Sequence, residues 1–130
     1  MKTVIAYYSL TGTTGKLAER LSVLPGCDMI KIPMFGKIKL PDKYDLVLVG
    51  TPIWFYAPSF PAGRLLSQIK DGPAKVAFFC TYQTTIGKSF EKMEAKCGKK
   101  PSGVLQLMGT EIGTPVGEEK IRKFLDDIQK

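Results

Sequence analysis

The sequence contains no histidine among its 130 residues. Histidine is the commonest general base and the commonest metal ligand, so its absence removes the usual participant in acid–base and metal-ion catalysis. The three cysteines, Cys27, Cys80 and Cys97, show no CxxC spacing. This pattern favours reduced thiols and argues against a structural zinc site.

Long hydrophobic runs are also missing. The longest apolar stretch, Leu46–Pro58, is interrupted by Gly50 and Pro52 and is shorter than the roughly 18 residues of a membrane span. The N-terminal segment MKTVIAYYSLTG lacks the long apolar run and the small-residue cleavage site of a signal peptide. We therefore expect a soluble cytoplasmic protein with no membrane partner, and the chain length predicts one domain, residues 1–130.

Negative charge is scarce. Nineteen Lys and Arg residues oppose 12 Asp and Glu residues, which gives a net charge of +7. Such a balance attracts polyanions or acidic partners and says nothing about the fold. A binding module that uses this basic surface on nucleic acid is one candidate. The sequence lacks interleaved basic and aromatic clusters, so nucleic acid is not the expected partner.

Short apolar runs alternate with amphipathic stretches along the chain. The predicted strands are Thr3–Tyr8, Asp28–Ile32, Asp45–Gly50, Ala74–Cys80 and Val104–Met108. Apolar residues at helical spacing follow the first, third, fourth and fifth of these runs. The alternation predicts an α/β fold with a parallel sheet and helices on both faces. Pro33–Lys43 has two prolines and no helical stripe, so we predict no helix between the second and third strands.

The first strand–helix turn, Ser9–Thr14, reads SLTGTT. A helix N-terminus leaves backbone N–H groups unpaired and carries partial positive charge. Hydroxyls add donors, and Gly12 lets the backbone approach an anion closely. The turn contains no charged residue, so it suits a phosphate held by neutral donors. An ordinary Ser/Thr-rich helix cap remains the alternative.

Other phosphate motifs fail on inspection. A Walker A loop needs Ser or Thr after Gly-Lys, but Gly15-Lys16 is followed by Leu17, and no GxGxxG fingerprint follows the first strand. A response-regulator receiver domain would need Asp at the ends of the first and third strands. A low-molecular-weight tyrosine phosphatase would need a Cys and an Arg separated by five residues. The sequence has neither arrangement.

Two further loops follow strands of the predicted sheet. Thr51–Pro58 (TPIWFYAP) contains the only tryptophan, Trp54, and two more aromatic residues. Their faces suit stacking on a planar ring, although they could instead fold back on the core. Thr81–Gly87 adds an aromatic residue and neutral hydrogen-bonding groups. Loops at the carboxyl ends of parallel strands share one edge of the sheet. Together the three loops predict a site for a phosphorylated planar heterocycle.

These motifs make the sequence similar to the flavodoxin family. Ser9–Thr14 fits the flavodoxin phosphate signature [ST]-x-T-G-x-T, and Asp45–Trp54 resembles the third strand and first flavin-flanking loop. Ser102–Thr110 runs straight on where long-chain flavodoxins carry an insertion, so the chain resembles a short-chain member. The resemblance covers essentially the whole chain. It implies a flavodoxin-like three-layer sandwich, a five-stranded parallel sheet of order 2-1-3-4-5, and FMN as the cofactor.

The resemblance also implies which residues bind the cofactor. The FMN phosphate would be held by Ser9, Thr11, Gly12, Thr13 and Thr14. One flavin face would be lined by Pro52, Ile53, Trp54 and Phe55, and the other by Thr81, Tyr82, Gln83 and Thr84. The implied function is flavodoxin-type electron transfer, in which the flavin does the chemistry and no catalytic residue or metal is needed.

The sequence departs from typical flavodoxins in its charge. Those proteins are acidic, whereas this chain is basic and Thr81–Gly87 contains no acid. We therefore expect redox partner proteins with an acidic docking face and a flavin potential less negative than usual. The loop Thr51–Pro58 also resembles that of flavodoxin-like NAD(P)H-dependent flavin or quinone reductases, which gives an alternative function. Cys80 lies near the expected flavin, and a small buried hydrophobe is the favoured interpretation over a redox thiol.

Overall fold

The computed structural model describes residues 2–10, 12–36, 40, 43–54 and 57–129. The strands are β1 (Thr3–Tyr7), β2 (Cys27–Lys31), β3 (Leu46–Trp54), β4 (Ala57–Pro58), β5 (Lys75–Tyr82) and β6 (Val104–Met108). Five of them form a parallel sheet in the order β2-β1-β3-β5-β6. The two-residue β4 pairs antiparallel with the end of β3. Without β4, the spatial order is the predicted 2-1-3-4-5.

The helices follow the apolar periodicity of the sequence. They are α1 (Thr13–Leu21), α2 (Phe60–Gln68), α3 (Ser89–Cys97) and α4 (Pro115–Ile128), and a short 3₁₀ turn, Gly109–Glu111, follows β6. Pro61 lies in the first turn of α2, where its missing N–H costs no helical hydrogen bond. Within the described ranges, every helix is too short or too polar to cross a membrane.

Side chains alternate along the strands between two apolar cores, one on each face of the sheet. The first core lies beneath α1 and α4 and includes Ile5, Leu48 and Phe79. The second lies beneath α2 and α3 and includes Val49 and Phe78. Because both faces are covered, the strands carry apolar residues at consecutive positions. The predicted three-layer α/β sandwich is confirmed.

The third strand is longer than predicted. It was expected to end at Gly50, but β3 continues to Trp54. A Cβ on Gly50 would lie 2.1 Å from the Phe79 ring of the neighbouring strand, so the glycine makes room for this ring and does not end the strand. The predicted loop Thr51–Pro58 is therefore largely a β3–β4 hairpin. Strand β5 likewise includes Thr81 and Tyr82, which were expected in a loop.

The crossover between β2 and β3 contains no helix among its described residues, 32–36, 40 and 43–45. Arg64 of α2 fastens its first part. The guanidinium donates to the carbonyl oxygens of Pro33 at 3.0 Å and Met34 at 2.6 Å, and also to that of Gly36. One side chain thus holds a segment that a helix would otherwise have held by its own hydrogen bonds.

Candidate functional site

The carboxyl ends of β1, β3 and β5 lie side by side. Tyr7 pairs with Gly50, and Pro52 pairs with Thr81, so the three predicted loops leave the same edge of the sheet. This arrangement brings the serine–threonine turn, the β3–β4 hairpin and the segment after β5 together. It is the position at which open α/β sheets bind ligands.

The turn after β1 is closed by Ser9. Its buried Oγ accepts hydrogen bonds from the backbone N–H of Gly12 at 3.0 Å and of Gly15 at 3.2 Å. Gly12 precedes α1 with a φ of 93°, a left-handed conformation that favours glycine. A Cβ at Gly12 would meet nothing within 4 Å, so the described surroundings leave open space there. Thr11 lies outside the described residues.

A buried hydrogen bond joins the first turn to β5. Thr14 Oγ1 and Thr81 Oγ1 lie 2.7 Å apart, and both residues are almost fully buried. Thr13, the first residue of α1, is half-buried beside them. Two of the predicted site residues thus hold the predicted phosphate-binding turn against the predicted second flavin loop. The hydroxyl of Thr14 is used in this hydrogen bond.

The β3–β4 hairpin contributes the other side of the edge. Ile53 pairs with Pro58 and Trp54 pairs with Ala57. Pro52 and Ile53 are half-buried, and Phe55 lies outside the described residues.

The hairpin is tied to α2 through Thr51 and Ser59. Thr51 Oγ1 lies 2.8 Å from Ser59 Oγ and accepts the backbone N–H of Ser59 at 3.0 Å. Neither residue was singled out for this role by the sequence, since only the fold brings them together.

The segment after β5 exposes its polar groups. Tyr82, at the end of β5, is half-buried, while Gln83 and Thr84 are exposed. Thr81 is buried and bonded as described above. That these residues line a flavin face stays a prediction.

A fourth segment, after β6, also reaches this edge and was missed from the sequence. A Cβ on Gly109 would lie 3.1 Å from Thr13 Cγ2, which places the turn against the start of α1. Glu111 accepts a hydrogen bond from Lys120 of α4 at 2.8 Å and another from the backbone N–H of Met108 at 2.9 Å. These bonds lower the pKa of Glu111, and the bond to Glu111 raises the pKa of Lys120, with a smaller contribution from Tyr82.

The pair Glu111–Lys120 leaves the local charge balanced. Its partners are nine positions apart and belong to different elements, so no sequence motif marks them. Helix α4 begins just after this turn, where Thr114 Oγ1 accepts the backbone N–H of Gly117 at 3.1 Å and Pro115 follows as the first helical residue.

Cys80 lies within β5, fully buried. Burial raises the pKa of its thiol to about 12, so the thiolate is scarce at neutral pH. This supports the interpretation of Cys80 as a small buried hydrophobe. Among the described residues, no cluster of three or more Cys, Asp or Glu side chains could hold a metal ion.

The start of α1 fits an anionic group such as a phosphate monoester. Ser9 and Gly12 lie just before the helix and Thr13 begins it, and the first turn of the helix contains no acidic residue. The N–H groups of Gly12 and Gly15 donate to Ser9 Oγ and so shape the turn. The described parts of the first turn, the hairpin and the segment after β5 contain no carboxylate. An anion at this helix N-terminus would therefore meet favourable partial charge and no local repulsion from these segments.

Known proteins with similar structures share this architecture. No protein-family model and no curated protein matches the sequence. A flavoprotein from Lactobacillus acidophilus, solved in complex with FMN, is 24% identical, with coverage of 95% of this chain and 97% of the other and a TM-score of 0.72. A flavodoxin from the domain Archaea is 19% identical, with coverage of 99% and 97% and a TM-score of 0.67.

A third similar structure is a flavodoxin, WrbA-like protein from Agrobacterium tumefaciens. It is 17% identical, with coverage of 98% of this chain and 93% of the other and a TM-score of 0.70. All three likenesses extend over nearly the whole of both chains. At these identities they concern the fold, and the chain has the flavodoxin-like fold.

Proposed function

We propose that the chain binds FMN without a covalent bond and acts as a flavodoxin-type electron carrier. The observation that carries the proposal is the buried Thr14–Thr81 hydrogen bond. It fixes the turn at the start of α1 beside the end of β5, which supports a single site made from the proposed phosphate-binding turn and the proposed ring-binding edge. The FMN complex of the similar Lactobacillus acidophilus flavoprotein supports the choice of ligand.

The phosphate would lie against the first turn of α1. Gly12 supplies a backbone without a side chain at this point, and Ser9 Oγ holds the turn in shape by accepting two N–H groups. Neutral donors and the positive end of the helix favour a phosphate dianion at this position, so that binding needs no positively charged side chain. Riboflavin, which has the ring but not the phosphate, would lose these contacts.

The ring would lie between the hairpin residues Pro52–Trp54 and the segment Thr81–Thr84. Pro52 and Ile53 offer half-buried apolar surface, and Tyr82 offers an aromatic side chain. When bound, FMN supplies one- and two-electron chemistry, and the residues of this chain hold the ring and set its surroundings. No general acid or base is assigned.

A second candidate function is an NAD(P)H-dependent flavin or quinone reductase of the same fold. The similarity to the WrbA-like protein and the aromatic hairpin sequence favour it. The two functions separate in one measurement. A reductase would show rapid bleaching of bound FMN by NADH or NADPH alone, whereas an electron carrier would need a protein donor.

The partner of an electron carrier would present an acidic face. The chain has a net charge of +7, and no carboxylate lies in the described parts of the three loops after β1, β3 and β5. Such a surface speeds the approach of an acidic protein at low salt.

The binding proposal is tested by calorimetry of the purified protein with FMN and with riboflavin. We expect FMN to bind at least about 10-fold more tightly, which corresponds to about 1.4 kcal/mol. Gly12→Ala should weaken FMN binding and leave riboflavin binding nearly unchanged, because a left-handed φ strains alanine at the phosphate end. Equal affinities for the two ligands would remove the phosphate assignment.

Gly26→Ala is the matched control, because Gly26 also has a left-handed φ, 67°, and open space for a Cβ, but it precedes β2 at the opposite edge of the sheet. It should bind FMN as the wild type does. Trp54 is the only tryptophan, so its emission reports on the hairpin. We expect quenching as FMN binds, and unchanged emission at saturation would place the indole away from the flavin.

A further inference from the structure

A groove of about 710 Å³ lies between α2 and α3, on the opposite face of the sheet from α1 and α4. Its walls come from both helices, from β4 and from the crossover at Gly36. This volume falls within the range of small-molecule sites, about 300–1,000 Å³. The groove shares only β4 with the hairpin of the candidate FMN site.

Part of the lining of the groove consists of small apolar residues. Ala57, Pro58 and Ala95 line it, and Gly63 forms part of the α2 wall. A Cβ on Gly63 would lie 3.2 Å from Lys96 Cε, so the aliphatic stem of Lys96 crosses close to the α2 backbone. Phe60, at the start of α2, is 83% exposed beside the groove. This surface offers contact to a hydrocarbon or ring rather than to water.

The charged residues that line the described part of the groove are all positive. Arg64, Lys92 and Lys96 line it, and its described lining contains no Asp or Glu. Arg64 is held in place by the three carbonyl oxygens of the crossover, which orient its charge without neutralising it. The N-terminus of α2 also belongs to the lining and has no acidic residue in its first turn. Cationic side chains and a helix N-terminus all favour a negatively charged group.

We propose that this groove binds an anionic amphiphile, a small molecule with a carboxylate or phosphate head and an apolar body. The head would lie among Arg64, Lys92 and Lys96, and the body would lie along the apolar wall. The volume suits a compact ligand, and the uniform positive charge selects against neutral and cationic ones. None of the described candidate FMN residues lines the groove, so we expect both ligands to bind at once.

The test uses ¹⁵N-labelled protein saturated with FMN and titrated with octanoate, followed by heteronuclear NMR. Octanoate should shift the amide signals of residues 60–68 and 92–96, while those of residues 9–14 stay in place. Octanamide has the same chain without the charge and should bind at least about 5-fold more weakly. The same titration without FMN should give the same octanoate affinity, so failure of FMN binding would leave this result intact.

Two variants and a control locate the site. Lys96→Glu should weaken octanoate binding about 10-fold or more by reversing a charge on the groove. Ala95→Trp should block the groove by bulk without changing charge. Lys123→Glu makes the same charge change on an exposed position of α4, in the other helix layer, and should bind octanoate as the wild type does.

Several outcomes would overturn the proposal. One is equal affinity for octanoate and octanamide, and another is an equal loss of octanoate affinity in Lys96→Glu and Lys123→Glu. A third is that the amide signals shift only for residues outside α2, α3 and β4. Concentration-dependent shifts of the groove residues without octanoate, together with dimers in analytical ultracentrifugation, would assign the groove to a second copy of the chain and also exclude a small ligand. Unchanged octanoate binding in a folded Ala95→Trp variant would exclude the groove directly.

Discussion

At the scale of single residues, buried hydroxyls hold the turns at the site edge in shape and, in the pair Thr14–Thr81, join segments 67 positions apart. Ser9, Thr14, Thr51, Ser59 and Thr81 are all buried, and each has a hydrogen-bond partner in the part of the chain that the structure describes. A buried polar atom costs free energy unless it is paired, so these bonds specify one arrangement of the loops. The site edge is therefore built by neutral hydrogen bonds, both within the turn at Ser9 and between elements at Thr14–Thr81 and Thr51–Ser59.

The first prediction concerns the pair Thr14–Thr81. Thr14→Val leaves Thr81 Oγ1 without this partner in a buried position, and we expect a loss of about 1–3 kcal/mol in the free energy of unfolding. Thr81→Val should cost a similar amount. The double variant should lose less than the sum, because neither hydroxyl is then left unpaired. Urea denaturation of the four proteins measures the coupling, and strictly additive losses would contradict the pairing.

The second prediction concerns Cys80, whose thiol pKa is raised to about 12 by burial. Below pH of about 8.5 the thiol is protonated in both the folded and the unfolded chain, so it adds no pH dependence. As the pH rises from there toward 12, only the unfolded chain releases the proton, and stability falls. This thiol should lower the free energy of unfolding by up to about 1.4 kcal/mol for each pH unit.

The measurement compares wild type with Cys80→Ala by denaturation at pH 8, 9 and 10. The variant loses stability at every pH because its side chain is smaller, but the difference between the proteins should shrink as the pH rises. A difference that stays constant would show that Cys80 ionises equally in both states. Titration of other groups cancels in the comparison.

At the scale of elements, one arginine side chain supplies hydrogen bonds to the backbone of the β2–β3 crossover, whose described residues form no helix. Arg64 donates to three carbonyl oxygens between Pro33 and Gly36. A guanidinium has five N–H donors in a planar fork, which lysine cannot reproduce. The crossover also exposes Phe35, which is 85% accessible to solvent. Cleavage after Phe35 by a protease therefore reports local opening of the crossover.

The third prediction is that Arg64→Ala increases chymotrypsin cleavage after Phe35. Local opening of the crossover should become at least about 5-fold more frequent, since each hydrogen bond contributes about 0.5–1.5 kcal/mol. Arg64→Lys should fall between the variant and the wild type. Arg122→Ala is the control, because Arg122 is exposed on α4 and pairs with Glu119 only three positions away. Equal cleavage rates in the wild type and the three variants would show that the hydrogen bonds of Arg64 do not hold the crossover.

At the scale of the whole molecule, the net charge of +7 stays positive when the phosphate of FMN, about −2, is bound, and it acts on any charged reactant that approaches the candidate FMN site. The potential of such a charge extends about 30 Å at 0.01 M salt and about 10 Å at 0.1 M. Glu111 and Lys120, which also lie near this edge, balance each other. The excess positive charge is therefore expected to steer acidic reactants toward the site.

The fourth prediction uses small oxidants in place of a partner protein. Stopped-flow oxidation of the reduced FMN-bound protein by ferricyanide, an anion, should slow as ionic strength rises from 0.01 to 0.1 M. Oxidation by tris(phenanthroline)cobalt(III), a cation, should speed up over the same range. The sign of each salt dependence is the test, because it does not depend on the driving force of either oxidant. The same sign for both would remove electrostatic steering from the account.

Periodicity along the chain was enough to predict the strands and helices, their order in the sequence and the layers that they form. Apolar runs such as Val104–Met108 matched a strand to the residue, and apolar residues at helical spacing matched all four helices. These patterns are local, because the period of the side chains follows from the backbone of each segment. The turn Ser9–Thr14 was marked in the same way, by residue types that suit a helix N-terminus.

How the segments meet depends on packing in three dimensions. Gly50 looked like the end of a strand, but the Phe79 ring on the neighbouring strand fills the space above it, and β3 continues. The Thr14–Thr81 bond and the Glu111–Lys120 pair join residues of different elements. The groove between α2 and α3 likewise arises from two helices and a crossover together. Such features depend on distances between residues far apart in the chain, and the periodicity of each segment does not determine those distances.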